Sequence, residues 1–187
     1  MEDISRKFPL LETSRTNLFE IQDSYKNDLF TLFTDPRVTA FFPVITLKEE
    51  NDILPVIDFF KQNFKKDIAI RWGIKLKEND HLIGTIGYTN YKSGHRASLV
   101  YALKPAYWGK GLMREVITEI IRFGFRELDV TRIDAETLLG NTVSEKILEK
   151  SGFKFEGLLR EWMQWNGVNH DVNMYSLLKK EFETVSD

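Results

Sequence analysis

The chain contains no cysteine. This excludes a cysteine nucleophile, a thiolate-bound zinc and any disulfide framework, and it suits a reducing compartment. Histidine is almost as scarce. His81, His95 and His170 stand far apart without ligand spacing, so no metal site is expected. No apolar run reaches the roughly 18 residues of a transmembrane helix. Met1 to Lys7 are mostly polar and lack the apolar stretch of a signal peptide, so the expectation is a soluble cytoplasmic protein. Charge of one sign is missing too: 26 Lys+Arg against 28 Asp+Glu leave a net −2. No global field would draw the chain onto nucleic acid or an anionic membrane. Proline is sparse, with five scattered residues, and no repeat, low-complexity tract or linker interrupts the sequence. The Walker A loop, the dinucleotide fingerprint, the G-x-S-x-G elbow and the H-E-x-x-H helix are all absent.

What remains is an ordinary globular composition. With 187 residues, 42% of them hydrophobic, the chain can bury a core without staples. The expectation is one domain over residues 1–187, with its core at about 10–180. Thr16 to Gln22 reads as a strand. Leu29, Phe30, Leu32 and Phe33 form a helical stripe ended by Asp35-Pro36. Thr46 with Glu49 makes a capping-box pattern before a second helix bearing Ile53, Leu54, Ile57, Phe60 and Phe64. Pro55 lies inside that pattern and predicts a kink or a later start. Ile68–Leu76, Leu82–Tyr91 and Ala97–Leu103 are joined by connections too short for a crossover helix, so they form an antiparallel meander. Leu112, Met113, Val116, Ile117, Ile120, Ile121, Phe125 and Leu128 keep a 3.6-residue period and predict a long helix. A strand at Arg132–Leu138 follows, then a helix from about Asn141 to Lys150, stopped at Gly152. Phe153–Trp165 and Val168–Leu178 flank Asn166-Gly167, a two-residue hairpin signal. The fold class is α+β, with a mixed sheet and one central parallel step.

Two segments carry chemistry. The first runs from strand to glycine-bearing loop to the start of the long helix. Helix N-termini offer unpaired N–H groups and partial positive charge, and Gly109 and Gly111 let backbone approach a pyrophosphate closely. Lys104, Lys110 and Arg114 would add positive charge. An ordinary turn with solvated lysines is the plain alternative. The second is Asn141-x-x-Ser144, which by residue type alone reads equally as a helix cap.

Tyr107-Trp108-Gly109-Lys110-Gly111-Leu112-Met113-Arg114-Glu115 resembles motif A of the GNAT superfamily of N-acetyltransferases. Asn141-Thr142-Val143-Ser144 and Glu149-Lys150-Ser151-Gly152-Phe153-Lys154-Phe155-Glu156-Gly157 resemble two further signatures. Leu11 to Arg15 and Asp171 to Leu178 match the family's opening and closing segments. The branch most similar is that of the Rim-type ribosomal-protein N-terminal acetyltransferases. The resemblance implies a seven-stranded, mostly antiparallel sheet with a central parallel splay, flanked by about four helices. It implies acetyl-CoA as donor, its pyrophosphate on N–H groups of Trp108, Gly109, Lys110, Gly111, Leu112 and Met113. The pantetheine arm would run between the splayed strands, pairing with backbone of Tyr101, Ala102 and Leu103 and with Asn141, and Ser144 would lie near the sulfur.

The resemblance further implies direct attack of a primary amine in a ternary complex. The acceptor expected from this branch is a protein or peptide N-terminal α-amine. A small amine (polyamine, amino acid or antibiotic) and a non-catalytic CoA-binding sensor or partner module are the alternatives. Departures from the family pattern matter. Leu148 stands where many members carry a tyrosine proton donor, so Ser144 takes that role. Ser98 stands where a strand glutamate is frequent, and Ala106 replaces a usual Gln or Arg. Glu136, alternating with Asp134 on one face of its strand, becomes the candidate base. Phe41, Phe42, Trp162 and Trp165 read as core or as acceptor cleft, with Phe41 and Trp162 the substrate candidates. The final strands, which often pair between subunits in this superfamily, leave room for a homodimer.

Overall fold

The computed structural model describes residues 7–43, 47–165 and 167–183. One sheet carries the fold. Its strands are β1 (Leu11–Glu12), β2 (Thr16–Glu20), β3 (Ile70–Leu76), β4 (Leu82–Thr89), β5 (Arg96–Leu103), β6 (Arg132–Leu138), β7 (Lys154–Trp165) and β8 (Val168–Leu178). Their order is β1-β2-β3-β4-β5-β6-β8-β7, and every neighbouring pair is antiparallel except β5 and β6. The expected count of seven is corrected to eight. The extra strand, β1, has two residues, too few to show a period of two.

Six α-helices are described rather than about four: α1 (Lys26–Thr34), α2 (Pro36–Thr39), α3 (Leu54–Lys65), α4 (Leu112–Arg126), α5 (Thr142–Lys150) and α6 (Lys179–Glu183). The additions, α2 and α6, have four and five residues, too few to repeat an apolar period of about 3.6 residues. Pro55 resolves as a late start: a 3-10 turn over Glu50–Ile53 leads in, and the proline occupies the first turn of α3, where its missing N–H costs nothing. The expected Thr46–Glu49 capping box falls on Thr46, outside the described residues. The box that forms instead joins Glu49 to Asp52. Of the expected Asn166-Gly167 turn, Asn166 lies outside the described residues, while Gly167 has φ +73° and Trp165 pairs with Val168. Most of the Met1–Lys7 segment lies outside them as well.

Strand alternation divides the core in two. Ile70, Trp72 and Ile74 of β3 point to one face, where they meet Val116, Ile117, Ile120 and Ile121 of α4. The other face buries Ile21, Leu82 and Ala102 against Leu29, Leu32 and Phe33 of α1 and Ile57 of α3. Leu148 of α5 is fully buried in the first cluster, so the position of the family's usual tyrosine is core here.

The parallel step positions the site. β5 and β6 pair only from Arg96↔Arg132 to Leu99↔Ala135. Beyond Leu99 they diverge. β5 keeps its bonds to β4 as far as Leu103↔Gly84, while β6 keeps its bonds to β8 as far as Leu138↔Val172. Val100 to Leu103 therefore form an edge with no strand partner on the β6 side, where the Leu103 carbonyl accepts from Trp108 Nε1 at 2.7 Å.

Candidate active site

Two cavities meet at this divergence. The first, about 730 Å³, lies on the side of the α4 N-terminus. Tyr101, Ala102, Leu103, Trp108, Gly109, Gly111, Leu112, Met113, Asn141 and Ser144 all line it. The second, about 700 Å³, lies under α3 and is walled by Phe33, Phe41, Phe42, Phe59 and Phe60. Phe41, Phe42, Tyr101, Asn141 and Ser144 belong to both walls. They mark the passage from one cavity to the other.

The loop before α4 has the form that a pyrophosphate needs. Gly109 and Gly111 adopt left-handed φ values of +71° and +75°, which a β-carbon would strain. A Cβ on Gly109 would meet nothing within 4 Å, so the approach is open. Gly111 is the N-cap of α4 and supplies no side-chain cap, so the first-turn N–H groups keep their donors for a ligand. Arg37, Arg114, Lys146 and Lys150 also line this cavity, and among the described residues no carboxylate does. Such a charge set suits the polyanionic CoA moiety. Arg37, Lys146 and Lys150 were not legible in the sequence, where they read as solvated cations. For the two lysines the one signal is helical spacing, since Val143, Lys146, Ile147 and Lys150 share one face of α5; Arg37, on the four-residue α2, carries none.

Two expected cations are elsewhere. Lys104 turns away to Asp28, 2.6 Å from its Oδ1. Lys110 is absent from the cavity wall; its ammonium lies 5.3 Å from the Tyr107 ring centroid. Its carbonyl instead accepts from Arg15 Nη1 at 3.0 Å. Arg15 Nε also meets Glu115 Oε2 at 2.7 Å, while Ser14 Oγ and Arg15 N donate to Glu115 Oε1. The turn between β1 and β2 thus fastens the glycine loop to the first turn of α4. Burial works against the Glu115 charge, but hydrogen bonds from Thr13, Arg15 and Ser14 outweigh it and hold the carboxyl at about 2, against an ordinary 4.5. A depressed carboxylate contributes stability that is present above 4.5 and lost as pH falls toward 2. Melting temperatures across that window should fall less steeply in Glu115→Gln than in the parent. Parallel slopes would show that the clamp contributes nothing.

At the passage, Asn141 Oδ1 accepts from Ser144 N at 3.2 Å, so Asn141 caps α5. It also lines both cavities, so the capping and ligand-facing readings are compatible. The Tyr101 Oη is buried and makes no hydrogen bond of standard geometry. Burial pushes it up to about 12, while the neighbouring Ser144 hydroxyl pulls the other way. Two hydroxyls therefore converge where the cavities join. From the sequence, Asn141, Ser144 and the Tyr101 backbone are expected here, but not the Tyr101 hydroxyl.

Glu136 lines the second cavity and accepts from Trp162 Nε1 at 2.9 Å. Trp162 itself is 55% exposed and outside both walls. A break in register between Leu159 and Met163, with Glu161 at φ +51°, re-aims it toward Glu136. Asp134 is buried and held by Arg96 and Arg132, which leaves it a structural role. Phe42 stacks on Phe33 at 5.4 Å as part of the second core, while Phe41 faces the passage. Trp165 lines neither cavity; its ring lies 5.7 Å from that of His170. Among the described residues no group of His, Asp or Glu could hold a metal ion, and no helix is long and apolar enough to cross a membrane.

Comparison with known proteins agrees with this geometry. Residues 15–154 match the family model described as "Acetyltransferase (GNAT) domain". The uncharacterized N-acetyltransferase YoaA of Bacillus subtilis is 35% identical over 173 residues, 92% of this chain and 98% of its own. The [ribosomal protein uS5]-alanine N-acetyltransferase of Escherichia coli is 30% identical over 109 residues, 57% of this chain and 56% of its own. Among solved structures, RimL, a ribosomal L7/L12 alpha-N-protein acetyltransferase in complex with coenzyme A, superposes with a TM-score of 0.79. It is 17% identical and covers 91% of this chain and 98% of its own. The chain belongs to the GNAT family and is an acetyl-CoA-dependent N-acetyltransferase.

Proposed function

We propose that the acceptor is the α-amine of a protein or peptide N-terminus, acetylated by direct attack while both substrates are bound. The observation that carries this reading is the shared wall. A cationic cavity and an aromatic cavity open onto the same three polar residues, Tyr101, Asn141 and Ser144. The relative that acts on ribosomal protein uS5 supports the choice of acceptor.

Acetyl-CoA supplies the acetyl group as an activated thioester. The residues of the chain do the rest. The N–H groups from Trp108 to Met113 and the cations at the cavity rim hold the pyrophosphate and phosphate. The edge of β5 from Val100 to Leu103 pairs with the pantetheine arm and offers a backbone N–H to the carbonyl oxygen. The Ser144 hydroxyl donates to the departing sulfur, with the Tyr101 hydroxyl behind it. Glu136, oriented by Trp162, receives the proton from the attacking ammonium, directly or through water. An α-amine asks little of this base, because it titrates near 7.7–8.0 rather than the 10.4 or so of lysine. Holding amine and thioester in line supplies the largest share of the acceleration, up to about 7–11 kcal/mol. The reading places the reaction in the cytoplasm. It also includes a homodimer through β7, supported by the exposure of Phe155, Leu158 and Trp162 along that edge.

A second reading, a small amine as acceptor, is favoured by the aromatic lining and finite volume of the second cavity. Free-thiol release with a matched panel separates the two. Peptides of several residues should be turned over at least tenfold more efficiently than polyamines, amino acids or aminoglycosides. The reverse order would make the small amine the substrate.

A further inference from the structure

The second cavity contains a cation that the proposed reaction does not use. Arg71 lies on β3 between Ile70 and Trp72, which are buried in the opposite face of the sheet. Its own side chain therefore points toward α3 and into the cavity. The register sets Gly87 opposite Arg71, and Val100 opposite Gly87. Gly87 has no side chain to stand between them, and a Cβ there would clash with the β3 backbone, 2.0 Å from the Ile70 carbonyl oxygen. The guanidinium crosses the bare strand to reach the Val100 carbonyl at 3.3 Å and lies 5.3 Å from the Phe60 ring centroid.

That carbonyl satisfies one of five donors, and weakly. Arg15, Arg37, Arg96, Arg122 and Arg132 each have a carboxylate partner. Among the described residues Arg71 has none, and it differs from the other arginines without one, Arg114, Arg126 and Arg160, in being half-buried where they are exposed. Burial lowers its guanidinium to about 10, which still leaves it charged at neutral pH. A half-buried cation beside the Phe60 ring, in a cavity with one carboxylate among its described residues, is a setting that an anion in the cavity would complete. The planar guanidinium fits a carboxylate or phosphate in two parallel bonds. Glu136, the one carboxylate among the described residues of this wall, already has Trp162 as its donor.

We propose that the acceptor amine carries an anionic oxygen group, a carboxylate or a phosphate, that seats on Arg71. The proposal rests on the transferase reading and deepens it: Glu136 meets the ammonium end, Arg71 the anionic end.

The test uses amidated tetrapeptides that differ only at the second residue: glutamine, glutamate or phosphoserine. Free glutamate and glutamine serve as small-amine arms. For the parent enzyme, the glutamate or phosphoserine peptide should exceed the glutamine peptide in kcat/KM by about 10- to 100-fold, the range for a charge-assisted hydrogen bond. Arg71→Gln should erase that preference through KM, leave the glutamine peptide within about twofold, and leave acetyl-CoA affinity unchanged. Arg71→Lys should restore part of it. The peptide and amino-acid arms tell which source supplies the anion. Equal losses on neutral and anionic acceptors, or no preference in the parent, would overturn the proposal. Calorimetry with the CoA-loaded protein separates the two claims. Glutamate-peptide binding that requires Arg71, without turnover, would uphold the anion site and sink the transferase reading. Turnover indifferent to acceptor charge would do the opposite.

Discussion

Removing the hydroxyl of Ser144 is expected to lower kcat roughly 100-fold, at the lower end of what a positioned proton donor contributes. Leu148 fills the place of the family's usual tyrosine and is fully buried, so that position offers no donor. Ser144 and Tyr101 are the hydroxyls at the junction of the two cavities. With its pKa at about 12, Tyr101 stays protonated at any practical assay pH and can donate throughout. Tyr101→Phe alone should cost about tenfold. The double variant should cost less than the product of the two, because neighbouring groups that share one task do not add. Acetyl-CoA affinity should stay within about twofold in Ser144→Ala, because the pyrophosphate loop is untouched. Pre-steady-state thiol release separates chemistry from binding. A Ser144→Ala enzyme with parental kcat would remove the serine from the mechanism.

Replacing Gly111 by valine should weaken acetyl-CoA binding by about 10- to 100-fold. A β-branched residue at φ +75° is strained by roughly 1–3 kcal/mol. A Cβ there would also lie 3.7 Å from Arg15 Nη2, the group beside the clamp onto the Lys110 carbonyl. That contact is an ordinary van der Waals distance, so the strain is in the backbone, and relaxing it turns the first N–H groups of α4 away from their common target. Calorimetry reads the affinity, and a thermal melt separates a displaced loop from an unfolded domain. Unchanged affinity in a folded Gly111→Val protein would place the pyrophosphate elsewhere.

The parts of the fold that were legible in the sequence are those with a repeated signal. The long apolar period of α4 and the alternation of β6 set those elements closely. The absences followed from length: β1, α2 and α6 are too short to carry a period. The glycine loop and the Asn141–Ser144 segment were readable because glycine and capping residues act locally. Direction was not readable. Lys104 looked like part of the phosphate site, yet Asp28, distant in sequence, claims it. Glu136 and Trp162 were singled out for separate reasons, and only the register break in β7 joins them. Arg71 escaped notice because an arginine on an alternating strand reads as solvent-facing. Its exceptional setting comes from Gly87 and Val100 on the next two strands.

Acetyl-CoA is expected in the opening between β5 and β6, with its thioester at Tyr101 and Ser144. Backbone hydrogen exchange with and without acetyl-CoA reads this out segment by segment. Strong protection is expected of the β5 edge from Val100 to Leu103, of the loop and first turn from Trp108 to Met113, and of the start of α5 from Asn141 to Ser144. The outer strands β1 and β2 should change little. Binding that leaves these three segments unprotected, or protection confined to another face of the sheet, would contradict that placement.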